Sequence, residues 1–208
     1  MNTRRLLSLI VALAALCGVL GQFALNGAKP DLQAWGPRAW DLLRYFTILT
    51  NLMVAWLMLR ETMGRRQGSA ILTTAALNIA MVGIIYQTLL APETPLQGWN
   101  WVTDFLMHAA VPVAMVAWWA VFAPRRLSLA QLPLWLIWPV VYCIYALLRG
   151  AWEHRYPYFF LDIDRFGAGQ ITLNIIGLVG VFAGFGLLFW GLSRWLPGAS
   201  LVQPDNPS

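Results

Sequence analysis

Residues 6–25 read LLSLIVALAALCGVLGQFAL, twenty positions without one charged side chain. At about 1.5 Å of rise per residue such a helix is roughly 30 Å long, the thickness of a bilayer's hydrocarbon core. Comparable apolar runs follow at 42–59, 69–90, 102–122, 132–148 and 171–195, so the reading is an all-α polytopic membrane protein of six transmembrane helices. Composition agrees: 59% of the 208 residues are hydrophobic, 11% are charged, and mean hydropathy is +0.61. A soluble globular domain carries about 25% charged residues.

The breaks between runs carry turn formers and charge at 26–37, 60–68, 91–98, 124–128 and 149–169. Residues 1–196 are expected to form one transmembrane domain, and 197–208 a short polar tail. A cleavable leader is disfavoured, because the first run is long for a signal core and no A-x-A site follows it. Leu16 before Cys17 is too bulky for a lipoprotein site. Cys17 and Cys143 lie inside apolar runs and read as small buried hydrophobes.

A net charge of +5 and a pI near 9.7 would suit nucleic acid if the basic residues were gathered on one element. They are scattered between apolar runs and read as topology signals, so no nucleic-acid partner is expected. With the N-terminus inside, Arg4, Arg5, Arg60, Arg65, Arg66, Arg125, Arg126 and Arg194 fall inside, in short loops. Lys29, Arg38, Arg44, Arg149, Arg155 and Arg165 fall outside, interleaved with acidic residues. Both termini are therefore expected in the cytoplasm. Several of the twelve tryptophans, Trp35, Trp40, Trp99, Trp101, Trp118, Trp119 and Trp195 among them, stand near span ends, where interfacial rings belong.

Ionisable groups inside a span cost about 2.5 to 3.5 kcal/mol on insertion scales, so each points to function. His108 lies inside the fourth run, and Asp104, four residues earlier, shares its helical face and can orient an imidazole. At the start of the second run, Thr47, Thr50 and Asn51 form a polar stripe. Thr47 and His108 each sit about six residues inside the same side of the membrane, or roughly 9 Å deep. A hydroxyl and an imidazole at one depth can form a nucleophile and base pair. The ordinary roles compete: a membrane threonine bonds back to a carbonyl or joins helices, and Asp104 can cap a helix.

The stretches Arg44-Tyr45-Phe46-Thr47 and Met107-His108, with 152–162 containing Tyr156-Pro157-Tyr158, resemble the androgen-induced gene 1 family and its bacterial six-helix relatives. The resemblance covers the helix count and these short stretches. It implies a membrane threonine hydrolase that cleaves fatty acid esters of hydroxy fatty acids or similar lipid esters. Thr47 would match the family's nucleophile and His108 its histidine, in a multi-pass protein of the bacterial inner membrane. Asp104, Asn51, Arg44 and Tyr45 are the orienting or substrate-contacting candidates.

Other polar residues read as supporting. Asn78, Gln87 and Asn174 suit interhelical bonding, Arg44 and Arg149 suit snorkelling or an acidic group, and His154 suits a solvated loop. Pro112 and Pro139 are expected to bend their helices. The 153–165 charges lack metal-ligand spacing, and two histidines are too few for haem, so neither metal nor cofactor is expected. The competing classes are a non-catalytic lipid or small-molecule binder and a transporter, the latter without a visible inverted repeat.

Overall fold

The computed structural model describes residues 2–92, 96–123 and 127–196. The basic pair Arg125 and Arg126, Glu93 and the expected tail at 197–208 lie outside the described residues. Among the described residues every regular element is helical. The helices are α1 (Thr3–Asn26), α2 (Trp35–Leu42), α3 (Phe46–Thr62), α4 (Ser69–Ile85), α5 (Gly98–Phe105), α6 (Val111–Phe122), α7 (Leu132–Glu153) and α8 (Ile163–Trp195). A π-helical turn, Tyr86–Leu90, extends α4, and a second, Leu106–Ala110, joins α5 to α6 into one rod. Five helices are long and apolar enough to cross a membrane, or six if the bent pair α2–α3 counts as one span.

The second expected span begins differently from its sequence reading. The run from 42 divides: α2 ends at Leu42, and the chain turns by 95° before α3 starts at Phe46. The Arg44-Tyr45 corner carries the polar groups of that turn, and hydropathy averaging hides the bend. Thr47 consequently stands in the first turn of α3 rather than six residues inside it.

Helix α4 is the centre of the bundle, packing against α3, α6, α7 and α8. Its sequence is apolar on all sides, with Leu72, Ala75, Ala76, Leu77, Ile79 and Met81 sealed from solvent, as a helix surrounded by others requires. Asn78 donates to the Thr74 carbonyl at 2.8 Å and to the Trp135 carbonyl of α7 at 3.2 Å, so it joins helices as its type suggests. α8 lies at the margin, with Leu173, Ile176 and Leu188 exposed, and turns at Gly167, whose φ of 76° lies outside the helical region. Pro139 is carried within a continuous α7.

Tryptophan placement follows two rules rather than one. Trp35, Trp99, Trp152 and Trp195 are exposed near element ends, as interfacial rings should be. Trp118 and Trp119, expected there too, are core residues, and the Trp119 indole donates to Thr73 at 3.0 Å. The helix phase turns Trp119 toward α4, where a hydroxyl satisfies its ring nitrogen, and Trp118 lies under the Arg4 guanidinium of α1.

One end of the bundle is locked by a buried pair. Arg4 donates to Glu61 Oε2 at 3.0 and 2.6 Å and to the Phe122 carbonyl at 2.8 Å, tying α1, the end of α3 and the end of α6 together. The other Glu61 oxygen accepts from the Gln67 amide at 2.7 Å. Removing one partner strands a buried charge, at a cost of about 3–5 kcal/mol, whereas a matched apolar pair avoids it. Glu61→Ala is therefore expected to lower the unfolding midpoint in detergent strongly, and the double variant Arg4→Met with Glu61→Leu to lower it less. A larger loss in the double variant would contradict this account.

Candidate active site

The site forms where the first turn of α3 meets the π turn between α5 and α6. His108 Nε2 lies 3.3 Å from Thr47 Oγ1, and its Nδ1 lies 3.0 Å from Asp104 Oδ1. Nδ1 also lies 3.1 Å from the Asp104 backbone carbonyl. A carbonyl oxygen accepts and never donates, so neutral His108 holding this contact carries its proton on Nδ1. Nε2 then keeps its lone pair for the threonine hydroxyl. Asp104 stands well inside the rod, whose helix begins at Gly98, and so faces the imidazole instead of capping a helix start.

The local sequence explains the close approach. In the π turn the Val111 N–H reaches back to the Leu106 carbonyl, an i→i+5 bond that fits an extra residue into the turn. Such turns occur disproportionately at functional sites. On α1, a Cβ at Gly18 would sit 2.7 Å from Met107 Cγ, and one at Gly21 would sit 2.6 Å from Thr103 Cγ2. On α4, a Cβ at Gly83 would come 3.0 Å from the His108 carbonyl. Gly18 and Gly83 thus give the π turn its place, and Gly21 admits the end of α5 before it, by the small-residue packing used between membrane helices.

Asn51 ties α3 to the π turn. Its amide nitrogen donates to the Thr47 carbonyl at 2.9 Å and to the Met107 carbonyl at 3.4 Å. Thr50, the remaining member of the stripe, accepts from the Trp138 indole at 3.0 Å. Each polar residue of the stripe therefore meets a different neighbour. Asn51 donors are held by backbone, so its contribution in this arrangement is to position Thr47 and His108.

Arg44 and Arg149 are sealed into a network around Glu153 instead of snorkelling. Arg44 meets Glu153 Oε2 at 2.7 Å, and Arg149 meets Oε1 at 2.9 Å while donating to the Trp40 carbonyl at 2.7 Å. This network pins α2 and the α2–α3 corner to the end of α7. Tyr45 remains at the site, lining a polar chamber. His154 stands apart: it ends α7 in a left-handed conformation and pairs with exposed Asp164 at 3.0 Å.

Two aromatic residues join the site that spacing arguments did not select. Tyr86, in the π turn after α4, stacks on the His108 ring with centroids 3.7 Å apart and planes 11° from parallel. Tyr158 comes from the loop between α7 and α8, and its oxygen accepts from the Phe46 N–H at 3.1 Å. Burial pushes the Tyr158 phenol up to about 12, against hydrogen bonds at Thr47 and Phe46 that pull it down. The phenol therefore stays protonated and keeps a hydrogen to donate. Its segment, Tyr156-Pro157-Tyr158, was visible in the sequence, but no local pattern tells that it folds back onto α3.

Three hollows converge here. A polar chamber of about 190 Å³ is lined by Thr47 and His108 together with Gln22, Asn26, Asp41 and Asp104. A groove of about 690 Å³, bordered by Ala80, Gly83, Pro112 and Val116, reaches His108 from between α4 and α6. A narrow apolar cavity reaches Thr47 from inside the bundle, past Phe46, Tyr142, Tyr158 and Phe182. Comparison with family models, with curated proteins and with solved structures finds no match for this chain.

The tautomer is directly measurable. In a His154→Gln background, ¹⁵N spectra of neutral His108 are expected to show the proton on Nδ1. A proton on Nε2 would contradict the hydrogen-bond assignment.

Proposed function

We propose that this chain is an intramembrane lipid ester hydrolase with Thr47 as nucleophile and His108 as general base, in keeping with its resemblance to the androgen-induced gene 1 family. The observation that carries the reading is the alignment Thr47–His108–Asp104, with contacts of 3.3 and 3.0 Å, at the meeting point of a polar chamber and apolar hollows. A hydroxyl is a weak nucleophile until an adjacent base takes its proton, and the base works best when a third group orients it.

The chemistry follows from these roles. Thr47 Oγ attacks the ester carbonyl as His108 Nε2 takes its proton, and Asp104 stabilises the imidazolium. The carbon–oxygen bond to the alcohol then breaks, and His108 returns the proton to the departing oxygen. Water, deprotonated by the same nitrogen, attacks the acyl-threonine, releasing the fatty acid and restoring the hydroxyl. Negative charge on the tetrahedral oxygen is met by the Tyr158 phenol and by the positive end of the α3 dipole, since Thr47 lies in that helix's first turn. An acyl chain fits the apolar hollows, and esters of hydroxy fatty acids or similar lipid esters are the substrate class.

The same reading places both termini in the cytoplasm of a bacterial cell and the chain in its inner membrane. Support comes from Arg4 and Arg5 lying at the same end as Arg60, opposite the Arg44–Glu153 network.

Thr47→Ala and His108→Ala are each expected to reduce hydrolysis of a lipid ester at least about 1000-fold, the range lost with a general base or its nucleophile. Tyr158→Phe should cost about 100-fold, mostly in kcat, as expected for one oxyanion donor. Release of free fatty acid from a purified, reconstituted protein checks all three. Parental rates in both alanine variants would remove the hydrolase reading and leave a lipid binder.

A further inference from the structure

The Tyr86–His108 stack is closer than ordinary ring packing. Its centroids are 3.7 Å apart and its planes 11° from parallel, whereas Trp119–Phe189 stand at 4.7 Å and Tyr45–Tyr158 at 6.3 Å. Two neutral rings avoid such a face-to-face sandwich, because each presents a negative π face, and they settle about 4.5–7 Å apart in offset or edge arrangements. A cation over the same face is attracted to it. The stack therefore gains when His108 is an imidazolium and gives little when the ring is neutral.

Backbone geometry enforces the approach. Tyr86 opens one π turn, closed by the Ala91 N–H on its carbonyl at 2.7 Å, and His108 lies inside the other. Three residues before Tyr86, Gly83 brings α4 against the His108 carbonyl, where a Cβ would stand 3.0 Å away. The hydroxyl of Tyr86 interacts with the Asp104 carboxylate, the group that meets His108 Nδ1. Tyr86 and Asp104 also line a hollow of about 250 Å³ beside α5 that is not lined by His108, so Tyr86 covers the imidazole on that side. One side chain thus touches both the base and its carboxylate.

In the proposed reaction Nε2 takes the Thr47 proton and the ring becomes charged. An interaction that favours the imidazolium then stabilises the transition state more than the resting state. We propose that Tyr86 is a positioning residue for His108: its ring holds the imidazole and favours the charged form, while its hydroxyl keeps Asp104 at Nδ1. The catalytic consequence rests on the hydrolase reading, but the effect on the imidazole stands apart from it.

Two variants separate the parts. Tyr86→Phe keeps the ring and loses the hydroxyl, and Tyr86→Leu loses both, so the difference between them isolates the ring. With the full chain in lipid nanodiscs and His154→Gln, ¹⁵N spectra follow His108 from charged to neutral as pH rises. The groups that face it are the same in both variants: Asp104 on its own rod, Thr47 on α3, and Tyr45, Asp41 and Lys29 on the chamber wall. The titration midpoint should lie lower in Tyr86→Leu than in Tyr86→Phe by about half a unit to one unit. Tyr86→Met takes the place of the leucine variant if that one does not fold. Coincident midpoints, or the reverse order, overturn the proposal.

Hydrolysis supplies the second readout. Relative to Tyr86→Phe, Tyr86→Leu should lower kcat about tenfold and change KM less than about twofold. The acid limb of its kcat/KM profile should move to lower pH by the same interval as the midpoint. Equal kcat in two active variants removes the positioning role. If the parent shows no Thr47-dependent hydrolysis while the midpoints differ, the hydrolase reading fails and the hold of Tyr86 on His108 stands.

Discussion

Hydrocarbon offers no partner to a polar group, and this constraint organises the molecule. An amide left unpaired there costs several kcal/mol. Asn51 meets the constraint on its donor side, its NH₂ group clasping the Thr47 and Met107 carbonyls while its Oδ1 stays unpaired, and that clasp joins the two helices that bear the site. The Thr47–His108 contact is a consequence of it. With α3 and the π turn bridged by the Asn51 side chain, the hydroxyl and the imidazole stand 3.3 Å apart, and Asp104 orients the ring. Gly18, Gly21 and Gly83 let the helices come near enough for the clasp to close.

The same constraint explains both ends of the bundle. Arg4 and Glu61 are nearly sealed from solvent and satisfy each other and neighbouring backbone groups. At the opposite end Glu153 takes charge from Arg44 and Arg149 and a hydrogen bond from Trp40 at 2.6 Å. Because Arg44 lies at the α2–α3 corner, that network holds the bend that places Thr47 at a helix N-terminus. A straight second span would carry Thr47 into the middle of hydrogen-bonded helix, away from the positive end of the dipole. The bend therefore connects the charge cluster around Glu153 to the electrostatics at Thr47, the proposed nucleophile.

Much of this was legible in the sequence, for physical reasons that also mark where reading stopped. The all-helical class and the presence of several membrane-length helices follow from the match between run length and bilayer thickness, and the Asp104–His108 pairing follows from i, i+4 geometry. The polar stripe on α3 was legible as a stripe, but its three different partners were not, because they depend on which helices are neighbours. The π turns at 86–90 and 106–110 leave no hydropathy signature, since an extra residue in an apolar run remains apolar. The corner at Arg44 was masked by averaging over flanking apolar residues. Trp118 and Trp119 look interfacial by position and are core by helix phase. Tyr86 and Tyr158 reach His108 and Thr47 through tertiary approach alone, which no spacing rule encodes.

The account depends above all on Thr47 being a nucleophile made reactive by His108. A fluorophosphonate that mimics the tetrahedral intermediate tests this directly when the adduct is mapped by peptide mass spectrometry. The expected result is a single modified residue, Thr47, with labelling lost in His108→Ala while the variant still folds. Modification of another residue, or labelling of Thr47 that persists unchanged without His108, would contradict it.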